Sequence, residues 1–111
     1  MPIELNAEFI WPDWPAPARV HAASTTRNGG VSTGPYTSLN LGAHVGDAAD
    51  AVSENRRRVG EALSLKQPPR WLQQVHRTRV AWLDGSEITE PADAAVTKHA
   101  GEASVIMTAD C

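Results

Sequence analysis

The sequence predicts an α+β domain, mostly short strands with one clear helix, and two observations carry that prediction. Apolar residues recur at helical spacing over residues 47–65, where Val52, Val59 and Leu63 share a face with Ala62 beside them. Elsewhere, β-branched and apolar residues come in short runs cut apart by Gly, Pro, Asn and Asp. Runs of strands around a single helix argue α+β rather than repeated βαβ units.

The totals agree with one small domain over residues 1–111. The chain is 41% hydrophobic and 21% charged, which is ordinary for a globular protein and argues against general disorder. A net charge of −3 offers no basic field to nucleic acid. The basic run Arg56-Arg57-Arg58 reads as a solvated helix face. A single cysteine forms no internal disulfide, which fits a reducing compartment and leaves metal binding, nucleophilic chemistry or burial as its uses. No basic stretch leads into an apolar core at the start, and no apolar run approaches the roughly 18 residues of a membrane span. A cytoplasmic protein with no membrane partner is expected. An apolar run that reaches a reactive residue normally continues into a turn, so the chain is expected to be the N-terminal portion of a longer single-domain protein.

In order along the chain, residues 1–17 carry Phe9, Trp11 and Trp14 between Pro12, Pro15 and Pro17. The prolines forbid a regular helix, and the aromatics are expected to pin an irregular arm to the body. Residues 19–26 read as a strand, closed by the turn signal Asn28-Gly29-Gly30. A loop rich in Gly, Ser, Thr and Pro follows to Gly46; it lacks the Gly-Lys-Ser/Thr of a phosphate loop. In the helix, Asp47 or Asp50 can serve the N-terminus, Glu54 and Arg58 form an i,i+4 pair, and Pro68-Pro69 stop any continuation. Residues 70–75 read as a strand with Leu72, Gln74 and His76 on one face. Residues 79–83 form another, and His76-Arg77-Thr78 could join the two as a hairpin. Residues 94–97 are a short strand, and Ala100-Gly101-Glu102 turns into the final run, Ser104-Val105-Ile106-Met107-Thr108-Ala109-Asp110-Cys111.

Two strand-like runs therefore end in a soft or borderline metal ligand, His76 and Cys111. Imidazole nitrogen and thiolate together suit zinc better than magnesium or calcium. A catalytic zinc takes three protein ligands and keeps a position open, and this pair supplies two. His44, in the glycine-rich loop, is the substitute for the third place; His21 reads as half-buried strand packing and His99 as solvated. The same pair would also serve a nucleophilic Cys-His dyad, in which His76 activates the Cys111 thiolate.

The motifs Thr25-Thr26-Arg27-Asn28-Gly29-Gly30-Val31-Ser32, Leu39-Asn40-Leu41-Gly42 with His44-Val45-Gly46-Asp47, Asn55-Arg56-Arg57, Gln74-Val75-His76, Ala92-Asp93-Ala94 and Thr108-Ala109-Asp110-Cys111 occur in this order. The series resembles the YfiH-type laccase-domain family, long labelled polyphenol oxidase and later recognised as purine nucleoside phosphorylases. The resemblance runs from about Thr25 to Cys111. It implies a layered α/β/β/α sandwich related to the cytotoxic-necrotizing-factor fold, in chains about twice this length. It implies one zinc held by two histidines and a cysteine, with His76 and Cys111 at two of those positions. The second histidine belongs to a downstream segment that this chain does not contain, which puts activity of the isolated chain in doubt.

The implied reaction is phosphorolysis of adenosine to adenine and ribose 1-phosphate. Inosine, guanosine and methylthioadenosine are further substrates, and adenosine deamination a further activity. The partners are then a purine nucleoside and phosphate. Under this reading Arg27 pairs with phosphate, Asn40 and its loop contact ribose or phosphate, and Asp110 orients a ligand from behind the metal. For each of these three, a purely local loop or capping role competes. Two other functions compete with the whole reading. A copper polyphenol oxidase is disfavoured, because one cysteine and few histidines cannot build several copper sites. A factor that edits cell-wall precursors through Cys-His hydrolysis would need no metal.

Overall fold

A computed structural model describes residues 8–108. Contacts divide the chain into two compact units, Met1–Val59 and Gly60–Cys111. The element order is β1 (Phe9–Ile10), β2 (Ser24–Thr25), a 3-10 turn (Gly34–Tyr36), α1 (Ala49–Ala62), β3 (Val80–Leu83) and β4 (Ala94–Thr97). This is a mixed α+β structure with one α-helix and two small sheets among the described residues, as the sequence predicts.

In the first unit, β1 and β2 pair antiparallel, Phe9 opposite Thr25 and Ile10 opposite Ser24. The strand expected over residues 19–26 is thus only two residues long. A turn from Pro17 to Val20 precedes it (Val20 N to Pro17 O, 2.9 Å), and only Ser24 and Thr25 meet a partner strand. His21 consequently lies outside the strand and exposed, against the half-buried packing expected of it. The aromatic arm also departs from expectation. Phe9 and Trp11 pack tilted at 5.6 Å, but Trp11 and Trp14 are more than half exposed.

The helix forms as expected but is trimmed at both ends, Ala49–Ala62 instead of 47–65. Asp50 lies in its first turn and accepts the Ala51 N–H, while Asp47 accepts the Ala48 N–H just ahead of it. The C-terminal end falls before the prolines for a local reason. Ser64 is left-handed (φ 55°), Leu65 N reaches back to Gly60 O at 2.9 Å, and Ser64 N reaches Glu61 O at 3.1 Å. That pair of bonds is a Schellman closure, which satisfies the last carbonyls without help from Pro68-Pro69. The expected Glu54–Arg58 pair is present at 2.8 Å, and Arg57 joins it at the same distance. The basic run is therefore engaged locally, with Arg56 Nε donating to Leu41 O.

In the second unit, β3 and β4 pair in parallel, Val80 with Ala94 through Leu83 with Thr97. The hairpin expected between residues 70–75 and 79–83 does not form. Residues 70–75 build no ladder; a single parallel bridge joins Arg70 to Ser104. Leu72, Ala81 and Ala92 form the buried cluster of this unit, with Ile88 and Ala95 against it. Arg70 anchors one end through Glu102 at 3.1 Å, a pair largely shielded from solvent, and Thr97 Oγ1 donates to the other Glu102 oxygen. No helix among the described residues is long and apolar enough to cross a membrane.

Candidate active site

The glycine-rich loop of the first unit is built around Asn55, which the helix buries completely. Its position follows from the helical stripe: Val52, Asn55 and Val59 are the buried residues of α1. The amide oxygen accepts the Val31 N–H at 2.8 Å, and the amide nitrogen donates to Ser32 Oγ and Asn40 O, each at 2.8 Å. Ser32 Oγ in turn donates to Asp47 at 2.5 Å, and Asn40 Nδ2 donates to the same Asp47 oxygen. The Ser32 hydroxyl, ahead of the Asn40 amide and the Ala48 N–H, holds the Asp47 carboxyl below its usual range. Gly30 packs so closely here that a Cβ would stand 2.1 Å from Ser38 O and 2.5 Å from Asn55 Oδ1. Only glycine fits.

Arg27 and Asn40 are brought into this one loop system. Arg27 O accepts both Ser38 N and Leu39 N at 2.8 Å, and Arg27 Nε donates to Thr37 O at 3.0 Å. Arg27 as a whole is exposed. Asn40 spans the turn at Gly42, giving Nδ2 to Gly42 O and accepting Gly42 N on Oδ1. Its side chain is thus engaged in shaping the loop. His44 is exposed on the far part of the same loop.

His76 belongs to the second unit and is exposed, with a left-handed backbone, φ 59°. The conformation is uncommon for any residue but glycine, with asparagine, aspartate and histidine the other types that enter it most. Here Asp93 supports it. One carboxylate oxygen accepts Val75 N and His76 N, both at 2.8 Å, and the other accepts Arg77 N at 2.7 Å. Three successive amides converging on one anion form a nest. These bonds, that from Arg77 first, hold the Asp93 carboxyl below the usual range. Asp93 is itself fixed by its own N–H, bonded to Arg79 O at 3.0 Å, at the threshold of β4.

The segment that leads to His76 is also clasped to the segment that leads to Cys111. The Gln74 side chain mimics a strand partner, donating to Met107 O at 3.0 Å and accepting Met107 N at 2.7 Å. With the parallel Arg70–Ser104 bridge, the two runs advance side by side. Asp110 and Cys111 lie outside the described residues. Among the described residues no three His, Cys, Asp or Glu side chains gather as a metal site. His76 is exposed, and its backbone is held by the Asp93 carboxylate.

Asn55 and Asp93 sit inside the quoted motifs, but sequence reasoning gave neither a role. Asn55 had a readable signal, an amide on the apolar face of a helix. Asp93 had only its place before a short strand.

These features coincide with a known family. Residues 21–111 match the family model described as multi-copper polyphenol oxidoreductase laccase, and the chain belongs to that family. A purine nucleoside phosphorylase of Pseudomonas aeruginosa is 54% identical over 107 residues, covering 96% of this chain and 43% of the relative. The purine nucleoside phosphorylase YfiH of Escherichia coli is 48% identical over 106 residues, covering 95% of this chain and 44% of the relative. The chain thus spans less than half the length of these curated relatives. A crystal structure of a Neisseria meningitidis protein superposes with a TM-score of 0.81 at 48% identity, covering 93% of this chain and 42% of that one.

Proposed function

We propose that the native protein carrying this chain is a zinc-dependent purine nucleoside phosphorylase of the cytoplasm, converting adenosine and phosphate to adenine and ribose 1-phosphate. The observation that carries the reading is the 54% and 48% identity, over nearly all of this chain, to proteins named purine nucleoside phosphorylase. Inosine, guanosine and methylthioadenosine are further substrates under this reading, and deamination of adenosine a side activity. The complete fold is then the layered α/β/β/α sandwich.

His76 and Cys111 would hold the zinc with a histidine from beyond this chain. When bound, the metal supplies a Lewis acid that polarises a ligand oxygen or activates a water. His76 supports this role because its exposed imidazole stands on a backbone fixed by three hydrogen bonds. Arg27, an exposed residue, supplies its guanidinium to phosphate, a planar fork suited to two oxygens at once. Asn40 acts by keeping the turn at Gly42 in shape for the sugar or phosphate, and Asp110 by orienting a ligand.

The test is adenine release from adenosine by the native protein, with zinc measured per chain. Release that requires phosphate, and that falls at least 100-fold in His76→Ala with loss of zinc, is the expected result. Phosphate-independent release overturns the phosphorylase reading. Oxygen uptake with a phenol that copper chelation abolishes would replace it by an oxidase.

A further inference from the structure

His76 poses a problem that its own sequence position does not solve. It follows Gln74 and Val75, and its backbone turns left-handed, a conformation uncommon for any residue but glycine. Such a conformation persists only where surrounding groups over-determine it. The surrounding group is a single carboxylate 17 residues downstream, that of Asp93, which takes the amides on both sides of the turn as well as His76 N itself. An amide side chain in its place would present one oxygen and one NH2, and the NH2 would face an N–H.

We propose that Asp93 is the positioning residue for His76: by gathering the Val75, His76 and Arg77 amides it forces the left-handed turn and so fixes where the imidazole stands. The inference rests on the reading of His76 as a functional ligand. It deepens that reading by assigning the ligand's orientation to a residue that touches neither metal nor substrate. The aim of the turn is tied to the sheet through Asp93 N on Arg79 O and the register of β4 beside β3. The His76 backbone is therefore tied to the sheet although it sits on a loop.

The experiment compares wild type, Asp93→Ala and Asp93→Asn in the native protein, with three readouts. The Cα and Cβ chemical shifts of His76 report its backbone conformation, amide exchange at Val75–Arg77 reports the nest, and competition with a chelator reports zinc affinity. Asp93→Ala is expected to move the His76 shifts out of the left-handed range and to speed exchange of the three amides at least 10-fold. Zinc should bind at least 10-fold more weakly, while the β3 amides stay protected. Asp93→Asn, which keeps one acceptor, should fall between. If Asp93→Ala unfolds the chain, Asp93→Asn carries the same comparison. Unchanged shifts and unchanged exchange in a folded variant overturn the proposal. A wild type that binds no zinc defeats the functional reading instead, and the shift and exchange data still decide the role of Asp93. Zinc affinity that is unchanged despite a relaxed turn shows that the nest shapes backbone alone, and likewise overturns it.

Discussion

Replacing Asn55 with alanine tests whether one buried amide holds the glycine-rich loop. The side chain is fully buried and satisfies three groups at 2.8 Å. Ser32 Oγ keeps its bond to Asp47, so the substitution strands two groups, Val31 N–H and Asn40 C=O. An orphaned buried polar group costs about 1–3 kcal/mol, and these two are only partly shielded, so the expected loss is about 2–4 kcal/mol. Against a total stability of roughly 5–15 kcal/mol that is a large fraction. Urea unfolding of the native protein, followed by tryptophan fluorescence, measures it as a lower midpoint at unchanged slope. Asn55→Asp is the sharper comparison. It has the same size, but it can no longer donate to Ser32 Oγ and Asn40 O and brings a charge into a buried site, so it should lose at least as much as alanine. A loss under about 1 kcal/mol for alanine, with the slope unchanged, would refute the assignment of Asn55 as the hub of the loop.

Four further outcomes follow from the same contacts. Gly30→Ala should be destabilised by on the order of 3 kcal/mol or should not accumulate as folded protein, since its Cβ would meet the backbone at Ser38 and Leu39; soluble yield and thermal midpoint check this. Gln74→Ala should cost about 1–2 kcal/mol and speed exchange of the Met107 amide, because one neutral side chain makes both bonds to that residue. Stability should fall as the pH drops from about 4.5 to about 2. Hydrogen bonds from Arg57 and then Arg58 hold Glu54 at about 2, so the unfolded chain binds the proton first and stability drops with pH. Asp47 and Asp93, both lowered, act in the same direction. Glu54→Gln should flatten that acid limb, as read from midpoints measured at several pH values. Arg27→Ala should raise the KM for phosphate at least 10-fold and leave that for adenosine nearly unchanged; equal changes in both would assign Arg27 to the loop alone.

What could be read from the sequence was what depends on neighbours in the chain. The helix announced itself because Val52 and Val59 repeat at its period and Glu54 and Arg58 share a face. Val80–Leu83 and Ala94–Thr97 were visible as short apolar runs, and the structure keeps both bounds to within a residue. The helix end was missed because Ser64, not a glycine, closes the Schellman turn, and serine carries no such signal. The strand at 19–26 failed for another reason. β-propensity describes fitness for a pleated surface, and here a partner strand exists for two residues only.

The hairpin shows why the site was harder to read than the fold. His76-Arg77-Thr78 is short enough to join two antiparallel strands, and local sequence cannot say whose acceptors will take its amides. Asp93 takes them, so the turn is bonded to the entry of β4 and the chain beyond it pairs in parallel. At that turn His76 is left-handed and exposed. Residues that carry chemistry could be proposed from type and spacing, since imidazole and thiolate have few uses in common. Residues that hold the backbone around them, Asp93 and Gln74, are ordinary polar side chains whose meaning lies in a partner 17 or 33 positions away. Their function exists only once the chain is folded, and in both cases the partner is backbone, which has no letter in the sequence.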